Sequence, residues 1–597
     1  MPLPKTPPPR IQIQAIEPLL DCGRYAVKRT VGDRVDVYAT IVKDGHDILG
    51  AAIRVKGPGE SGWHEEPFEP LGSDRYGGGF VVDRPGLWLF QIAAWTDRIA
   101  TWQDELRRKV EAGQVELAAE LAEWAVLLGR TISVEEGLAV AVGDRHGEAV
   151  SKPLAVDVDR ELARFGAWYE LFPRSWGGFR GVASVLPQLA ELGFDVVYLP
   201  PVHPIGQTSR KGRNNALVAE PGDPGSPWAT GSEEGGHDAI HPDLGTWDDF
   251  DAMVEAARAA GVELALDFAI QCSPDHPWLA EHPEWFYRRP DGTLKYAENP
   301  PKRYQDIYNV NFESEDWQGL CRALLDVVLF WVGRGIKVFR VDNPHTKPVP
   351  FWEWLIGEVR RDHPEVIFLA EAFTSPAMMT TLAKAGFAQS YTYFTWKNTK
   401  AELAEYVDQL VAWSPFYRSN AFVNTPDILH EYLQRGGPPA FEARLVLAAT
   451  LSPSYGIYSG YESFENVAVR PGSEEYLDSE KYEVKQRALD GPLLPLVRRL
   501  NEARRREPAL QRVENVHLLE TENDQLVAYA KENLICVVNI DPFATREGAC
   551  VVPVALGFPP AFDAHDVLTG ETFMWRAGRN YVKLGPGKAH VIKVTLS

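Results

Sequence analysis

Residues 335–373, which read GIKVFRVDNPHTKPVPFWEWLIGEVRRDHPEVIFLAEAF, constrain the fold more than any other part of the chain. The pattern predicts a buried strand, a polar loop, an amphipathic helix and a second buried strand. Such units build parallel sheets, and barrels made of them carry their active sites at the C-terminal ends of the strands. Each strand ends on a carboxylate, Asp342 in FRVD and Glu371 in FLAE. We therefore expect both acids on one face of a barrel.

A pair of acids in this position matches the needs of glycoside chemistry, in which one carboxylate attacks and the other handles the proton. Arg340 lies two residues before Asp342. Because side chains alternate along a strand, the two should share a face. The guanidinium can then hold the carboxylate oriented and ionised. Either acid alone would be read as a solvated loop residue, but both follow apolar strand runs, which favours a functional role.

The composition limits the classes of partner. A formal charge of -22 argues against nucleic acid or an anionic membrane. The first residues, MPLPKTPPPRIQIQ, lack the apolar core of a secretion signal, and no run approaches the length of a transmembrane span. Five cysteines without metal-ligand spacing favour a reduced cytoplasm. With no Gly-rich nucleotide loop and no cysteine–histidine cluster, we expect no cofactor and no metal.

The chain of 597 residues predicts several domains. Residues 1–100 predict an N-terminal β-sandwich, in which Val35 and the apolar residues at every second position after it form a half-buried strand. Residues 101–160 predict a helical segment and a connector. Its helices break near Gly113, and residues 130–160 are polar and mixed, which is typical of a connector.

Residues 161–509 predict a catalytic (β/α)₈ barrel of the TIM type. Its first strand should start at Phe165, and the others are expected at 194–200, 262–268, 336–342, 366–372, 390–394, 421–424 and 456–460. Thr246 followed by Asp249 predicts a capping box at the start of a helix. Residues 271–312 are too long and Pro-rich for a short loop and predict an inserted excursion over the active face. Residues 510–597 predict a C-terminal antiparallel β-sandwich. The fold class is therefore α/β.

Several long strings carry a family resemblance. VVYLPPVHPIG, DFAIQCSPDHPW, FRVDNPHTKP, FLAEAF and FVNTPDILH resemble the successive active-site strands of the alpha-amylase superfamily, glycoside hydrolase family 13. RKGRNN, EEGGHDAIHPDLGT, ENPPKRYQDIY, QSYTYFTWKNT and EYLDSEKYEVK resemble, more narrowly, the bacterial maltosyltransferases that extend α-1,4-glucan from maltose 1-phosphate. The resemblance covers residues 165–597, and the N-terminal sandwich and helices fit it more loosely.

The resemblance implies a double displacement that retains the anomeric configuration. Asp342 would attack the anomeric carbon, expel phosphate and form a β-maltosyl-enzyme. Glu371 would protonate the leaving oxygen and then deprotonate the 4-hydroxyl of the acceptor. Asp427, in the NTPD string, would be the third acid and would hold sugar hydroxyls in the distorted transition state. For this the environments of Asp342 and Glu371 must push their pKa values apart.

The resemblance also supplies substrate-binding candidates. For the phosphate these are Lys302, Tyr304 and Asn343, with Asn299 in the same ENPPKRY string as Lys302. For the two glucose units they are Lys211, Asn215, Gln271, Lys481 and Tyr482, and Arg340 completes the set. Lysines can donate to hydroxyls and tyrosines can stack on sugar faces.

The chain departs from the amylase pattern at two positions. Gln271 and Cys272 stand where amylases carry Asn-His, and Thr425-Pro426 stand where they carry His before the third acid. Both departures match the maltosyltransferase group and argue against simple starch hydrolysis. Cys272 is interpreted as a small pocket-lining residue with no histidine beside it, and His237 as a turn or cap residue.

The predicted partners are an α-maltose 1-phosphate donor and an α-1,4-glucan acceptor, with a homodimer and a cytoplasmic location implied by the resemblance. Neither nucleic acid nor membrane is expected. The first alternative is an amylase-type hydrolase or glucan transglycosylase. The second is a non-catalytic glycan-binding barrel, which the presence of all three acids disfavours.

Overall fold

The computed structural model describes residues 7–139, 143–299 and 302–595, without the side chains of Leu128, Asn299 and Lys302. The chain divides into two compact units, residues 1–160 and 161–597. Within the described residues, no helix has both the length and the apolar character needed to cross a membrane.

The first unit is built on a nine-stranded sheet. Its strands are β1 (Ile11–Glu17), β2 (Val27–Thr30), β3 (Arg34–Lys43), β4 (Leu49–Lys56), β5 (His64–Gly72), β6 (Arg75–Val81), β7 (Gly86–Thr96), β8 (His146–Val150) and β9 (Leu154–Asp159). The order is β1-β3-β6-β5-β4-β7-β9-β2, and β8 also pairs with β7. Along β3 the predicted alternation is confirmed, because Val35 and its alternate neighbours are buried. They share one core with Phe90 of β7 and Val156 of β9.

Helices α1 (Arg98–Glu111), α2 (Ala118–Leu128) and α3 (Val134–Ala139) complete this unit. The break between the first two is confirmed, since Gly113 adopts a positive φ of 76°. Trp102 and Trp124 stack with ring centroids 4.1 Å apart in a small core of their own.

Part of the predicted connector is strand. Residues 146–150 and 154–159 form β8 and β9, and both are antiparallel partners of β7. HGEAV is short and mostly polar, so its own pattern predicts little, and its pairing with β7 makes it a strand, an effect of tertiary pairing over local propensity. LAVDVD does alternate apolar and acidic residues, and its Val156 and Val158 are buried in the core of this unit, so the interpretation of residues 130–160 as a connector overlooked a strand signal.

The second unit contains the predicted closed parallel barrel of eight strands. They are β10 (Gly166–Glu170), β11 (Val196–Leu199), β12 (Glu263–Phe268), β16 (Val338–Asp342), β17 (Ile367–Glu371), β18 (Gln389–Tyr391), β19 (Ser419–Phe422) and β20 (Ser454–Tyr458). The helices are α4 (Gly178–Glu191), α5 (Trp247–Ala260), α6 (Pro277–Glu281), α7 (Trp317–Gly333), α8 (Val349–Asp362), α9 (Pro376–Lys384), α10 (Lys400–Trp413), α11 (Glu431–Leu451) and α12 (Leu494–Arg506). The capping box of Thr246 and Asp249 is present at the start of α5.

The barrel strands are apolar on both faces, as parallel strands covered by helices should be. Inward-facing side chains such as Trp168, Val338 and Leu369 fill the barrel and leave no pore. The last two strands begin two residues earlier than predicted, at Ser419 and Ser454. Their polar first residues are buried; the Ser419 hydroxyl, for example, bonds that of Ser452 at 2.8 Å.

Between β12 and α7 the chain forms the predicted excursion. It holds a three-stranded antiparallel sheet of β13 (Gln271–Cys272), β14 (Tyr296–Asn299) and β15 (Lys302–Asn309), ordered β13-β15-β14. The excursion starts at the C-terminal end of a barrel strand and therefore adjoins the active face.

The chain closes with the predicted antiparallel sandwich. Its strands are β21 (Val516–Leu519), β22 (Leu526–Lys531), β23 (Leu534–Asn539), β24 (Arg546–Val552), β25 (Ala561–Asp566), β26 (Thr572–Arg576), β27 (Gly578–Leu584) and β28 (Ala589–Val594). Six form one sheet, β21-β22-β23-β28-β25-β26, and β24 pairs with β27. Residues of both sheets share a core. The predicted domain boundaries stay predictions.

Candidate active site

Asp342 and Glu371 are the last residues of adjacent parallel strands and are partners in the strand register. Both carboxylates face Arg340, whose Nη1 lies 2.7 Å from Asp342 Oδ1 and whose Nη2 lies 3.8 Å from Glu371 Oε2. The predicted shared face of Arg340 and Asp342 is thus confirmed. The two acids therefore face the same guanidinium group.

The surroundings of the two acids differ. Asp342 accepts from Arg340 and, at 3.3 Å, from Asn343 Nδ2. Burial raises the pKa of Glu371 to about 8; Arg340 opposes the rise, and the Asp342 charge adds to it. Glu371 therefore holds a proton at neutral pH, as a general acid requires.

The buried carboxylate of Asp267, near the end of β12, also contacts Arg340. Its Oδ2 accepts from Arg340 Nη1 at 2.9 Å, from the Tyr198 hydroxyl at 2.5 Å and from Trp228 Nε1 at 3.2 Å. Burial raises the pKa of Asp267 to about 7. Asp267 and Asp342 both accept from the same guanidinium nitrogen, Nη1, which holds that end of Arg340 against Asp342.

Asp427 lies in the loop after β19 and forms an ion pair with Lys481. The Lys481 ammonium also lies 5.3 Å from the Trp228 ring centroid. The charge of Asp427 contributes to the raised pKa of Glu371, so the third predicted acid is within electrostatic range of the second. Asn424 supports the loop by donating to the Tyr476 hydroxyl at 2.8 Å.

Two loops that carry the predicted sugar-binding residues are joined directly. Asn214 Nδ2 donates to Asp478 Oδ1 at 3.1 Å, which links the RKGRNN loop to the EYLDSEKYEV loop. Lys211 is buried and donates to Gln305 Oε1 of β15 at 2.6 Å. Asn215 adopts a positive φ of 66°. Its Oδ1 is buried without a hydrogen-bond partner in the described part of the chain.

The other predicted substrate-binding residues lie on several different strands and loops of the second unit. Gln271 and Tyr482 are buried, and Tyr304 packs against the small apolar cluster of the excursion. Asn343 sits directly beside the two acids, and its backbone N–H donates to Glu371 Oε2 at 3.1 Å. The Asn299 and Lys302 side chains lie outside the described residues. The roles of all these residues stay predictions.

Comparison with known proteins follows the same division of the chain. Residues 9–169 match the family model "Alpha-1,4-glucan:maltose-1-phosphate maltosyltransferase, domain N/S", residues 170–349 match "Alpha amylase, catalytic domain", and residues 518–594 match "GLGE, C-terminal".

Full-length relatives decide the family. A protein of Streptomyces coelicolor named alpha-1,4-glucan:maltose-1-phosphate maltosyltransferase 2 is 48% identical over 98% of this chain and 96% of its own length. Relatives with the same enzyme name from Mycolicibacterium smegmatis and Pseudomonas aeruginosa are each 46% identical, over 98% and 97% of this chain and 97% and 95% of their own lengths. The chain belongs to the alpha-1,4-glucan:maltose-1-phosphate maltosyltransferase family.

Solved structures of other glycoside-active enzymes share the fold of about three quarters of the chain. An alpha-amylase from Lactobacillus plantarum has a TM-score of 0.58 at 21% identity and covers 73% of this chain and all of its own. Trehalulose synthase from Pseudomonas mesoacidophila has a TM-score of 0.55 at 14% identity, covering 72% of this chain and 99% of its own. At these identities the likeness shows the fold alone.

The interpretation that Cys272 has no histidine beside it is wrong. Cys272 has two histidines beside it: ligand atoms of His237, Cys272 and His276 lie within 4.8 Å of one another, and all three residues are buried. His237 Nε2 bonds the Ala269 carbonyl at 2.9 Å and its Nδ1 bonds His276 Nε2 at 3.0 Å. His276 Nδ1 in turn accepts from the Trp278 N–H at 3.1 Å. All four ring nitrogens of His237 and His276 thus take part in one chain of hydrogen bonds.

Asp267 is a residue of this site that the sequence did not predict. In the sequence it stands only as the first residue of the DFAIQCSPDHPW string. The signal available was its position as the penultimate residue of a predicted barrel strand, in register with Arg340 on the next.

Proposed function

We propose that this enzyme transfers maltosyl units from α-maltose 1-phosphate to the non-reducing end of α-1,4-glucans and retains the anomeric configuration. The observation that carries the proposal is the register pairing of Asp342 with Glu371 around the Arg340 guanidinium. Neighbouring strands are about 4.8 Å apart. Retaining enzymes place their two carboxyl groups about 5–5.5 Å apart, a spacing that register partners on adjacent strands can provide.

In the first half-reaction an Asp342 oxygen attacks the anomeric carbon of the donor. The bond between that carbon and the phosphate oxygen breaks, and its electrons go to the oxygen, which takes the Glu371 proton. The products are hydrogen phosphate and a β-maltosyl ester on Asp342. Arg340 and Asn343 orient the attacking carboxylate.

In the second half-reaction Glu371, now ionised, takes the proton of the acceptor 4-hydroxyl. The acceptor oxygen attacks the ester carbon, and Asp342 leaves as a carboxylate. Two inversions give net retention. Asp427 and Lys481, which form an ion pair in the free protein, bind hydroxyls of the transferred unit.

The test is a mixture of the protein with maltose 1-phosphate and a maltooligosaccharide. We expect release of orthophosphate and chain growth in steps of two glucose units. Free maltose from starch, without phosphate release, would instead identify a hydrolase. An Asp342→Ala protein as active as the wild type would point to a site elsewhere.

We further propose that the enzyme is a homodimer. Leu71, Val81 and Leu87 of the first unit are each more than half exposed, and exposed apolar side chains are typical of interfaces. Light scattering after size exclusion should give twice the chain mass. A monomer at micromolar concentration would contradict this.

A cytoplasmic location is also proposed. The five cysteines all lie within the described residues and are all free thiols, and four of them are buried. A reducing compartment keeps such thiols unpaired. Cell fractionation should find the protein with cytosolic markers; recovery from the culture medium would contradict the proposal.

A further inference from the structure

Lys347 is a buried cation beside the reacting groups that the chemistry above does not use. It lies five residues after Asp342, and only 9% of its surface is exposed. Across the described parts of the chain its ammonium group has no hydrogen bond and no ion pair. An unpaired buried ammonium is costly, so its position calls for an anion that the free protein does not supply.

The backbone that carries Lys347 is held rigidly. Asn343 adopts a left-handed φ of 43° and starts a single helical turn at Pro344–Thr346. The Thr346 hydroxyl donates to the Asn343 carbonyl at 2.8 Å, and Trp352 Nε1 of α8 donates to the Pro344 carbonyl at 2.9 Å. Lys347 N–H closes the turn on the same Pro344 carbonyl at 3.1 Å. The lysine is therefore presented from a fixed frame next to the nucleophile.

Three acids lie within electrostatic range of the Lys347 ammonium, in the order Asp342, Glu371 and Asp267. Arg340 pairs directly with Asp342 and Asp267 and lies 3.8 Å from Glu371. Lys347 pairs with none of them, so its charge remains available to an anionic group bound near the three acids.

We propose that Lys347 binds the phosphate group of the donor and stabilises it as it leaves. This role rests on the proposed function. As the bond from the anomeric carbon to oxygen breaks, its electron pair passes to the phosphate oxygen, Glu371 supplies the proton, and the remaining charge develops beside Lys347. The phosphate oxygen must approach Glu371 to be protonated, and Lys347 is within electrostatic range of that carboxyl. A fixed cation in a water-poor site favours such charge development.

The test is Lys347→Met, which keeps an unbranched side chain one atom shorter than lysine and removes the charge. Its matched control is Lys337→Met, which changes an exposed lysine just before the start of the same strand, β16, at the opposite end from the acids. Two donors are compared with each protein: maltose 1-phosphate and α-maltosyl fluoride, whose leaving group is fluoride. We expect kcat/KM for maltose 1-phosphate to fall about 100-fold in Lys347→Met, while transfer from the fluoride falls less than about threefold and Lys337→Met matches the wild type with both.

A second measurement uses inorganic phosphate as an inhibitor of transfer from the fluoride. Its inhibition constant should rise about tenfold in Lys347→Met, from the loss of one charge-assisted contact. Lys347→Arg should recover part of the phosphate-dependent rate because it restores the charge.

Equal losses with both donors in Lys347→Met would overturn the inference, since they would show a structural role. An unchanged rate with maltose 1-phosphate would overturn it too. A wild-type protein that uses the fluoride but never the phosphate would refute the proposed function itself and this role with it, a result distinct from either of the others.

Discussion

The rate of maltosyl transfer should fall above about pH 8 because Glu371 must be protonated to act on the leaving oxygen. Burial raises the pKa of Glu371 to about 8; Arg340 and the Asn343 N–H oppose the rise, and the Asp342 and Asp427 charges add to it. Each pH unit above the pKa removes nine-tenths of the acid form, so kcat/KM should fall about tenfold per unit and about 100-fold by pH 10.

The assay follows initial rates of phosphate release with maltose 1-phosphate kept below its KM, between pH 7 and pH 10. Phosphate monoesters lose their second proton near pH 6, so the donor stays a dianion throughout this window. The matched variant is Glu371→Gln, which cannot titrate. It should be slower by roughly 10²- to 10⁴-fold, and its rate should not change with pH across the window.

The same carboxyl should affect stability. Its ordinary pKa is 4.5 and its value in the folded protein is about 8, so between these limits the native state holds a proton that the unfolded chain lacks. This contribution to stability is complete below pH 4.5 and is lost as pH rises toward 8, by at most about 1.4 kcal/mol per pH unit. Chemical denaturation at pH 8 should therefore show Glu371→Gln to be more stable than wild type by roughly 2–4 kcal/mol.

Two results would refute this reasoning. A wild-type rate that stays constant to pH 10 would mean that Glu371 is not the acid. A fall near pH 8 that persists in Glu371→Gln would assign the titration to another group. Thermal unfolding measured at each pH separates both results from simple denaturation.

Three further predictions concern other parts of the chain. Arg340→Lys should lower kcat about 100-fold in the phosphate-release assay, because one ammonium cannot contact the carboxylates that the guanidinium joins; an Arg340→Lys protein with wild-type kcat would refute this. Trp124→Ala should cost about 3–5 kcal/mol in denaturation of the full chain, since this fully buried ring stacks on Trp102; a loss below about 1 kcal/mol would contradict that role. Burial lowers the pKa of Lys531 from 10.5 to about 7, so the stability of the wild type should rise with pH between those values. Lys531→Met should be about 2 kcal/mol more stable than the wild type at pH 7 and should lose that advantage by pH 10. Equal stability differences at both pH values would contradict the assignment.

The barrel could be predicted because each of its strands carries its own signal. Apolar runs such as VVYL and VFRVD are buried on both faces and end in turn residues, so local pattern and tertiary position agree. The segment at 146–150 lacks that agreement, because HGEAV has no apolar pattern and becomes a strand through its pairing with β7, which is distant in sequence. The segment at 154–159 does alternate apolar and acidic residues, but it is only six residues long and stands in a polar region, so the alternation is easily mistaken for part of a connector.

The site divides in the same way. Asp342 and Glu371 could be placed because each ends a predicted strand. Arg340 could be placed because side chains alternate along a strand, which puts it on the same face as Asp342. The two histidines beside Cys272 could not be placed from the sequence, since His237 is separated from Cys272 by a helix and a strand and lies next to it only in the fold. Lys347 could not be predicted for a different reason: a lysine in a polar loop is normally solvated, and its burial arises only in the fold.

The way charge is distributed in the site explains how one barrel can serve different donors. Arg340 is taken up by the strand-end acids, since it pairs with Asp342 and Asp267 and faces Glu371, and its charge is balanced before any substrate enters. A dianionic donor must find its cations elsewhere, in a protein whose net charge is -22. Lys347 lies in the loop after β16 and the predicted Lys302 in the inserted excursion, not on the barrel strands. In the proposed mechanism the strands supply the acids that break an anomeric bond, and the loops supply the charge that selects the leaving group. Loop changes can alter that selection while the acids stay in place.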